Sequence, residues 1–224
     1  MDVDAGKRLA AEAALAFLPE SGVVGLGSGS TAWLFVEGVG RLVRAGRKLT
    51  GVPTSVETRR RAEAARIPLL GDEGPWAIDV CVDGADEVSR ELQLIKGAGG
   101  CQSREKIVNQ AARFNIIVVD ESKLSERLGQ KPVPLEVLPF GIGSLRSLLE
   151  RWGSVTLREQ QGRPFVTDSG NFILDLHAGV IADPAALERE LELLPGVVTS
   201  GLFVNRADLV IVAGDAGVRQ LRRG

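Results

Sequence analysis

The chain has 224 residues, 44% hydrophobic and 25% charged, with 27 Lys and Arg against 29 Asp and Glu for a formal net charge of −2. That length supports one large domain, or one domain carrying a smaller one, and the composition excludes a chain disordered throughout. The near-neutral balance argues against a nucleic-acid coat or a polybasic membrane anchor, and no apolar run reaches the roughly 18–20 residues of a membrane span.

Residues 3–17 place Leu9, Ala13, Ala14 and Phe17 at helical spacing, and Pro19 and Gly22 end that helix. Its acidic, amphipathic start is unlike a secretory signal. A short buried strand, 23–26, then runs into the glycine loop Gly27-Ser28-Gly29-Ser30-Thr31, and a helix follows to about Val43. Strand, glycine loop and helix open a parallel α/β unit. The pattern continues with a strand over 48–52, a helix over 55–65, a strand over 78–82 and the acidic loop Asp83-Gly84-Ala85-Asp86-Glu87. An apolar stretch at 92–95 leads to a second glycine loop at 96–100, a helix over 104–112 and a β-branched strand over 115–119.

The texture changes after about residue 125. Residues 131–137 alternate and carry two prolines, which suits an edge strand. Helices are expected over 142–151 and 184–193, with short strands over 155–158, 171–176 and 197–202. The last unit, a strand over 209–213 and a terminal helix over 216–222, returns to the style of the first half. The expected organisation is an α/β domain of residues 1–128 and 205–224, interrupted by a small α+β domain of residues 129–204.

Four places carry chemistry. In the first loop, glycines expose backbone N–H groups, the helix start adds partial positive charge, and Ser28, Ser30 and Thr31 add hydroxyls around Gly29, which together suit a phosphate. It lacks the GK[ST] ending of a Walker loop and the GxGxxG spacing of a dinucleotide fingerprint, so a plain tight turn is the alternative. At the second place, the carboxylates of Asp83, Asp86 and Glu87 follow a strand end, where open α/β sheets bind ligands. They suit acid–base work on sugar hydroxyls, or Mg²⁺, or are a solvated loop. At the third, Lys96 stands beside Gly97-Ala98-Gly99-Gly100, and Glu105 falls in the first turn of the next helix. A carboxylate base and a lysine electrophile can there face one small ligand; the plain alternative for Glu105 is an ordinary first-turn glutamate complementing the helix dipole. The fourth is Lys123 in Asp120-Glu121-Ser122-Lys123, a partner for the acidic loop or a phosphate, or a surface lysine. The single histidine, His177, reads as a strand-end residue, because no GxSxG elbow accompanies it. Two cysteines, Cys81 and Cys101, form neither a disulfide framework nor a zinc-ligand spacing, so a reducing cytoplasm and no metal site are expected.

The segments GLGSGSTA, PTSVET, DGADE, IKGAGG, REKIV, DESK and KPVPLEV, in that order from residue 25 to about 140, closely resemble the A-type ribose-5-phosphate isomerases, and NFILDLH is also similar. The resemblance implies a Rossmann-like parallel-sheet domain with a smaller α+β, ferredoxin-like domain inserted near the C-terminal end. It implies interconversion of ribose 5-phosphate and ribulose 5-phosphate with no cofactor, by a homodimer or homotetramer with no nucleic-acid or membrane partner. Carried over by motif, Glu105 is the proton acceptor and Lys96 steadies negative charge. Asp83 or Asp86 can open the ring; Asp83 is assigned to ring opening and Asp86 to orientation. The implied substrate contacts are Ser28, Gly29, Ser30, Thr31, Asp83, Gly84, Ala85, Asp86, Lys96, Gly97, Ala98, Gly99 and Lys123. Two positions depart from the family: Ser28 stands where threonine is usual, and Ala98 where a third glycine is usual. A positive φ at Ala98 would strain the loop. Rival readings are enzymes of related folds acting on amino-sugar phosphates, sugar lactones or acyl-CoA, and a non-catalytic sugar-phosphate sensor.

Overall fold

The computed structural model describes residues 3–223. The chain opens with α1 (Val3–Leu15), β1 (Ser21–Leu26), α2 (Ser30–Arg44), β2 (Lys48–Pro53), α3 (Val56–Ala64) and β3 (Val80–Asp83). Two short strands, β4 (Glu87–Ser89) and β5 (Leu94–Ile95), precede α4 (Gln102–Ala111) and β6 (Asn115–Asp120). Next come a 3₁₀ turn (Glu121–Lys123), β7 (Leu124–Ser125), β8 (Val133–Val137), α5 (Ile142–Leu149) and β9 (Ser154–Leu157). A hairpin of β10 (Glu159–Gln160) and β11 (Arg163–Pro164) leads to β12 (Phe172–His177) and α6 (Pro184–Glu192). The chain ends with β13 (Val197–Ser200), β14 (Leu202–Phe203), β15 (Leu209–Gly214) and β16 (Gly217–Arg222).

These elements form two compact units. The first holds the residues up to Ala85, Arg104–Lys123 and the chain from Arg206 on; the second holds Asp86–Ser103 and Leu124–Asn205. The sequence places 86–103 and 124–128 with the first domain. The structure groups them with the second unit because their strands pair there: β4 with β5 and β7, and β5 with β14.

The first unit is built on a six-stranded sheet in the order β16-β15-β6-β3-β1-β2, parallel except for β16. Every residue of β3 and β6 is buried, as continuous apolar strands covered on both faces must be. One face packs Leu26, Val82, Val118 and Ile211 against Ala10 and Ala14 of α1 and Phe35 and Val39 of α2. The other packs Val52, Ile78 and Cys81 against Val108 of α4. The chain leaves β1 for β2 on one side and returns to β3 on the other. Strand order therefore reverses between β1 and β3, and the crevice at their carboxyl ends is where such sheets bind ligands.

The second unit contains a four-stranded antiparallel sheet in the order β13-β8-β12-β9, with α5 and α6 as its helices. Counted along the chain this is βαββαβ with strand order four-one-three-two, the ferredoxin-like arrangement. Its core gathers Leu135, Val137, Leu145, Leu149, Leu174, Leu176, Leu187 and Leu191.

Two expectations about elements are corrected. The terminal helix over 216–222 is instead β16, a strand hydrogen-bonded antiparallel to β15. Val218 and Leu221 lie three apart and mimic a helical face, but Asp215-Ala216 between Gly214 and Gly217 makes a tight hairpin turn, with Gly217 at φ +98°. The supposed edge strand over 131–137 is β8, which is fully buried with a neighbour on each side. Its Pro134 is tolerated because its carbonyl accepts from Gly201 N–H just beyond the last β13 pair, Ser200 with Leu135. The missing N–H points to that same side, where the ladder has already ended.

Gly25 sits in β1 where a Cβ would lie 2.8 Å from Cys81 Cβ and 2.9 Å from Val108. Gly25→Val should therefore lower stability by about 1–3 kcal/mol or more through overpacking, read as a lower urea midpoint at unchanged m-value. An unchanged midpoint would show that this face of the sheet is loosely packed.

Candidate active site

The carboxyl edge of the parallel sheet carries the first group of residues. After β1 the chain turns at Gly27, whose N–H donates to Val82 O at 2.9 Å. A Cβ on Gly27 would fall 2.2 Å from Asp83 Oδ1, so only glycine lets the two strand ends approach this closely. Asp83 ends β3 and is buried, and its Oδ1 accepts from Ser28 N–H at 3.0 Å and Gly84 N–H at 2.7 Å. One carboxylate oxygen thus fixes the first glycine loop to its own strand end.

Gly29 takes φ +99°, which favours glycine, and caps α2 without any side-chain hydrogen bond to the helix. The first-turn N–H groups of α2 are therefore left by side chains for a ligand, at the positive end of a 15-residue helix. A Cβ on Gly29 would meet nothing within 4 Å, so the space above the loop is open.

Ser28 is held differently from the sequence expectation. Its hydroxyl donates to Ser55 Oγ at 2.7 Å and lies 2.8 Å from Thr54 Oγ1 and 3.1 Å from Thr58 Oγ1. This hydroxyl cluster comes from PTSVET and ties the loop to the start of α3: Thr58 donates to Gly27 O and Thr54 to Leu26 O, each at 3.0 Å. The side chains of Thr54, Ser55 and Thr58 were missed as site supports; their signal was three hydroxyl residues within five positions at a helix start. Lys123 closes the 3₁₀ turn after β6, half-buried, and the turn is set by Asp120, whose Oδ1 accepts from Ser122 N–H at 3.0 Å. Glu105 is 5% exposed in the first turn of α4.

The second unit carries the rest. The acidic run does not act as one cluster. Glu87 is buried and accepts from the N–H groups of Gly129, Gln130 and Lys131 at 2.9–3.3 Å, which makes it a support for that loop. Asp86 Oδ2 accepts from Ala98 N–H at 2.8 Å and so holds the lysine loop. Among the described residues no three His, Cys, Asp or Glu side chains gather as a metal site.

Lys96 is 4% exposed, and its ammonium lies 5.4 Å from the centre of the Phe203 ring, a cation–π distance. Gly97 at φ +106° and Gly100 at φ +76° make the tight turn, closed by Gly100 N–H to Gly97 O at 2.9 Å. Ala98 is not among the residues at positive φ, so alanine stands there without strain. The loop has a further clamp that the sequence did not reveal. Arg158 donates to Gly97 O at 2.8 Å and Ala98 O at 3.0 Å, while its other nitrogens grip Asp175. An arginine sixty positions away carries no local motif. In the first turn of α4, Ser103 donates to Glu136, a carboxylate only 1% exposed that also accepts from Thr167 at 2.8 Å and Asn171 at 2.9 Å. His177 is exposed, with Nε2 3.5 Å from Thr156 Oγ1, and joins none of these groups.

The sequence profile of the family described as ribose 5-phosphate isomerase A (phosphoriboisomerase A) matches residues 50–217. The chain belongs to this family. It is 48% identical over 224 residues to the ribose-5-phosphate isomerase A of Gloeobacter violaceus, covering 99% of this chain and 97% of that one. Among solved structures, a D-ribose-5-phosphate isomerase in complex with phospho-erythronic acid superposes with a TM-score of 0.97 at 40% identity over the whole of both chains. The ribose 5-phosphate isomerase A of Methanocaldococcus jannaschii gives 0.92 at 38% identity, covering 96% of this chain and 97% of that one.

Arg158→Ala should leave the Asp175 carboxylate and Ala98 O without their donor, and Gly97 O with Gly100 N–H alone. We expect a stability loss on the order of 2–3 kcal/mol, and faster hydrogen exchange at the backbone amides of 97–100. Unchanged exchange there would show that Asp86 alone sets the loop.

Proposed function

We propose that this chain interconverts D-ribose 5-phosphate and D-ribulose 5-phosphate by proton transfer through an enediolate, with no cofactor. The observation that carries the reading is the β1–β3 switch point: an uncapped helix start and an open glycine loop are locked to Asp83 at the carboxyl edge of the sheet, in a chain of this family. A phosphate monoester matches that edge because backbone N–H groups, helix polarity and the hydroxyls of Ser30 and Thr31 all favour an anion. The similar protein in complex with phospho-erythronic acid supports the same ligand class, a short phosphorylated sugar acid whose carboxylate places two oxygens as an enediolate does.

In the proposed reaction the furanose first opens, with Asp83 moving the proton between the ring oxygen and the C1 hydroxyl. Glu105 then takes the proton from C2 of the open aldose. The C–H electron pair becomes the enediol double bond, and charge grows on the former carbonyl oxygen. Lys96 opposes that charge. Glu105 returns the proton to C1, and proton exchange between the two oxygens completes the ketose. Asp86 orients the lysine loop through Ala98 N–H. Ser28, Gly29, Ser30, Thr31 and Lys123 are assigned to the phosphate end, Ser28 through its support of the loop by its N–H to Asp83 and its hydroxyl to Ser55. Ala85, Gly97 and Gly99 supply backbone, and Gly84 and Ala98 keep the two loops in place through Asp83, Asp86 and Arg158.

We assign the chain to a cytoplasmic homodimer or homotetramer. The support for assembly is large apolar side chains left at the surface, such as Phe140 at 95% exposure. A second copy of this chain is the expected cover, and a monomeric mass in solution would refute it.

The direct test is purified protein with ribose 5-phosphate and a chelator, following ketose formation; no turnover at any substrate concentration would overturn the reading. Glu105→Gln keeps size but cannot accept the proton, so kcat should fall by about 10²–10⁴-fold or more with KM little changed. During turnover in D₂O the parent should place some deuterium at the carbon receiving the proton. A Gln variant with near-parental kcat would move the base elsewhere. Gly29→Val puts a β-branched side chain at φ +99° on the phosphate loop, so KM should rise at least tenfold in a protein that still folds, and an unchanged KM would remove the loop from phosphate binding.

A further inference from the structure

The first residue of α4, Gln102, is fully buried, and neither its Nε2 nor its Oε1 has a hydrogen-bond partner among the described residues. A buried donor and acceptor without partners are costly, and native proteins retain few of them. Leucine or methionine would fill the same space without that cost. The position of the amide indicates what it is kept for. A Cβ on Gly97 would lie 2.8 Å from Gln102 Oε1 and 3.0 Å from its Cδ, so the amide is laid directly against the bare Cα of the lysine loop. Gly97, at φ +106°, admits the amide only because it has no side chain.

Other groups already hold parts of that loop. Gly97 O accepts from Arg158 and Gly100, Ala98 N–H donates to Asp86, and Ala98 O accepts from Arg158. Gln102 touches the same turn and bonds to none of it. With no exposed surface, the amide cannot meet a solute unless the loop moves. The backbone of 96–99, against which it lies, can offer it a donor or acceptor in a second arrangement.

We propose that Gln102 is a positioning residue for the lysine loop. When the sugar phosphate binds, peptide groups of 96–99 turn toward the Gln102 amide and hydrogen-bond to it, so the free chain carries an unpaired amide and the loaded chain a paired one. The amide thereby favours the loop arrangement that presents Lys96 to the ligand. This inference rests on the reading that the 96–99 loop serves a sugar-phosphate site.

The test compares the parent with Gln102→Met and Gln102→Leu. Losing the amide should raise the Tm of the ligand-free protein by about 2–4 °C, because an uncompensated buried polar group is gone. KM for ribose 5-phosphate should rise about three- to tenfold, the worth of one neutral hydrogen bond, with kcat within about twofold. The Tm increase produced by saturating phospho-erythronic acid should shrink in step. A KM rise in a variant at least as stable as the parent supports the inference. A parental KM overturns it, whether Tm rises or falls, since an amide that is merely a packing defect or is bonded to a buried water in both states would leave ligand affinity alone. A KM rise in a variant less stable than the parent also overturns it, by showing a structural amide. Turnover by the parent reports separately on the functional reading: a parent that isomerises ribose 5-phosphate beside variants of unchanged KM fells only the role of Gln102, and a parent without turnover fells both.

Discussion

The site depends on one carboxylate oxygen. Asp83 Oδ1 accepts from Ser28 N–H and Gly84 N–H, and the bare Cα of Gly27 lets it come that close. Charge-assisted hydrogen bonds to backbone N–H groups are short and strong, and here they join the ends of two neighbouring parallel strands where the strand order reverses. Once the loop is held there, α2 begins at Ser30 with no side-chain cap, next to open space at Gly29. The same feature that makes the loop rigid therefore leaves it able to bind an anion. The hydroxyls of Thr54, Ser55 and Thr58 brace it from α3, so three segments far apart in sequence converge on seven residues.

Asp83, Asp86 and Glu87 extend the same device along the chain. Each accepts backbone N–H groups from a different segment: the first glycine loop, the lysine loop, and 129–131. Carboxylates so occupied do not need a cation to relieve their mutual repulsion, because each has its own set of donors. The acidic run at the strand end thereby organises three loops. It also gives Asp83 two tasks in the proposed reaction, one oxygen for structure and the carboxyl as a whole for proton transfer. Asp86 holds the lysine loop through Ala98 N–H.

Much of this was legible in the sequence for a physical reason. Glycine loops, strand ends and helix starts are local, and GLGSGSTA, DGADE and IKGAGG each fall in a βα or ββ connection. The alternation of buried strands with helices fixed the α/β class before any contact was known. What escaped depends on partners distant in sequence. Arg158 is one arginine among many until its guanidinium is seen between Asp175 and two loop carbonyls. Glu136 sits in a strand as any alternating residue does, yet it gathers Ser103, Thr167 and Asn171. The last strand was misread because Val218 and Leu221 satisfy a helical spacing, while the edge of β15 offered hydrogen bonds that no local pattern announces. Pro134 was read from its missing N–H alone, and the side to which that N–H would point is a tertiary fact.

The lysine loop shows how a departure from the family pattern is absorbed. A third glycine where Ala98 stands would leave four successive glycines at 97–100. Only Gly97 and Gly100 take positive φ, and Ala98 lies between them in an ordinary conformation. Alanine at such a position narrows the unfolded ensemble without straining the folded one, an effect of about 0.4–1 kcal/mol. The backbone of residue 98 is held at both its N–H and its carbonyl, by Asp86 and Arg158. A methyl group is admitted because neither of those bonds involves the side chain. The loop is thus stiffened at residue 98 and left bare at Gly97, where the Gln102 amide lies, and at Gly99, where a Cβ would meet nothing within 4 Å. Freedom to move is kept on the two sides that a ligand or an unpaired amide can use, and removed at the one residue whose polar groups are already spoken for.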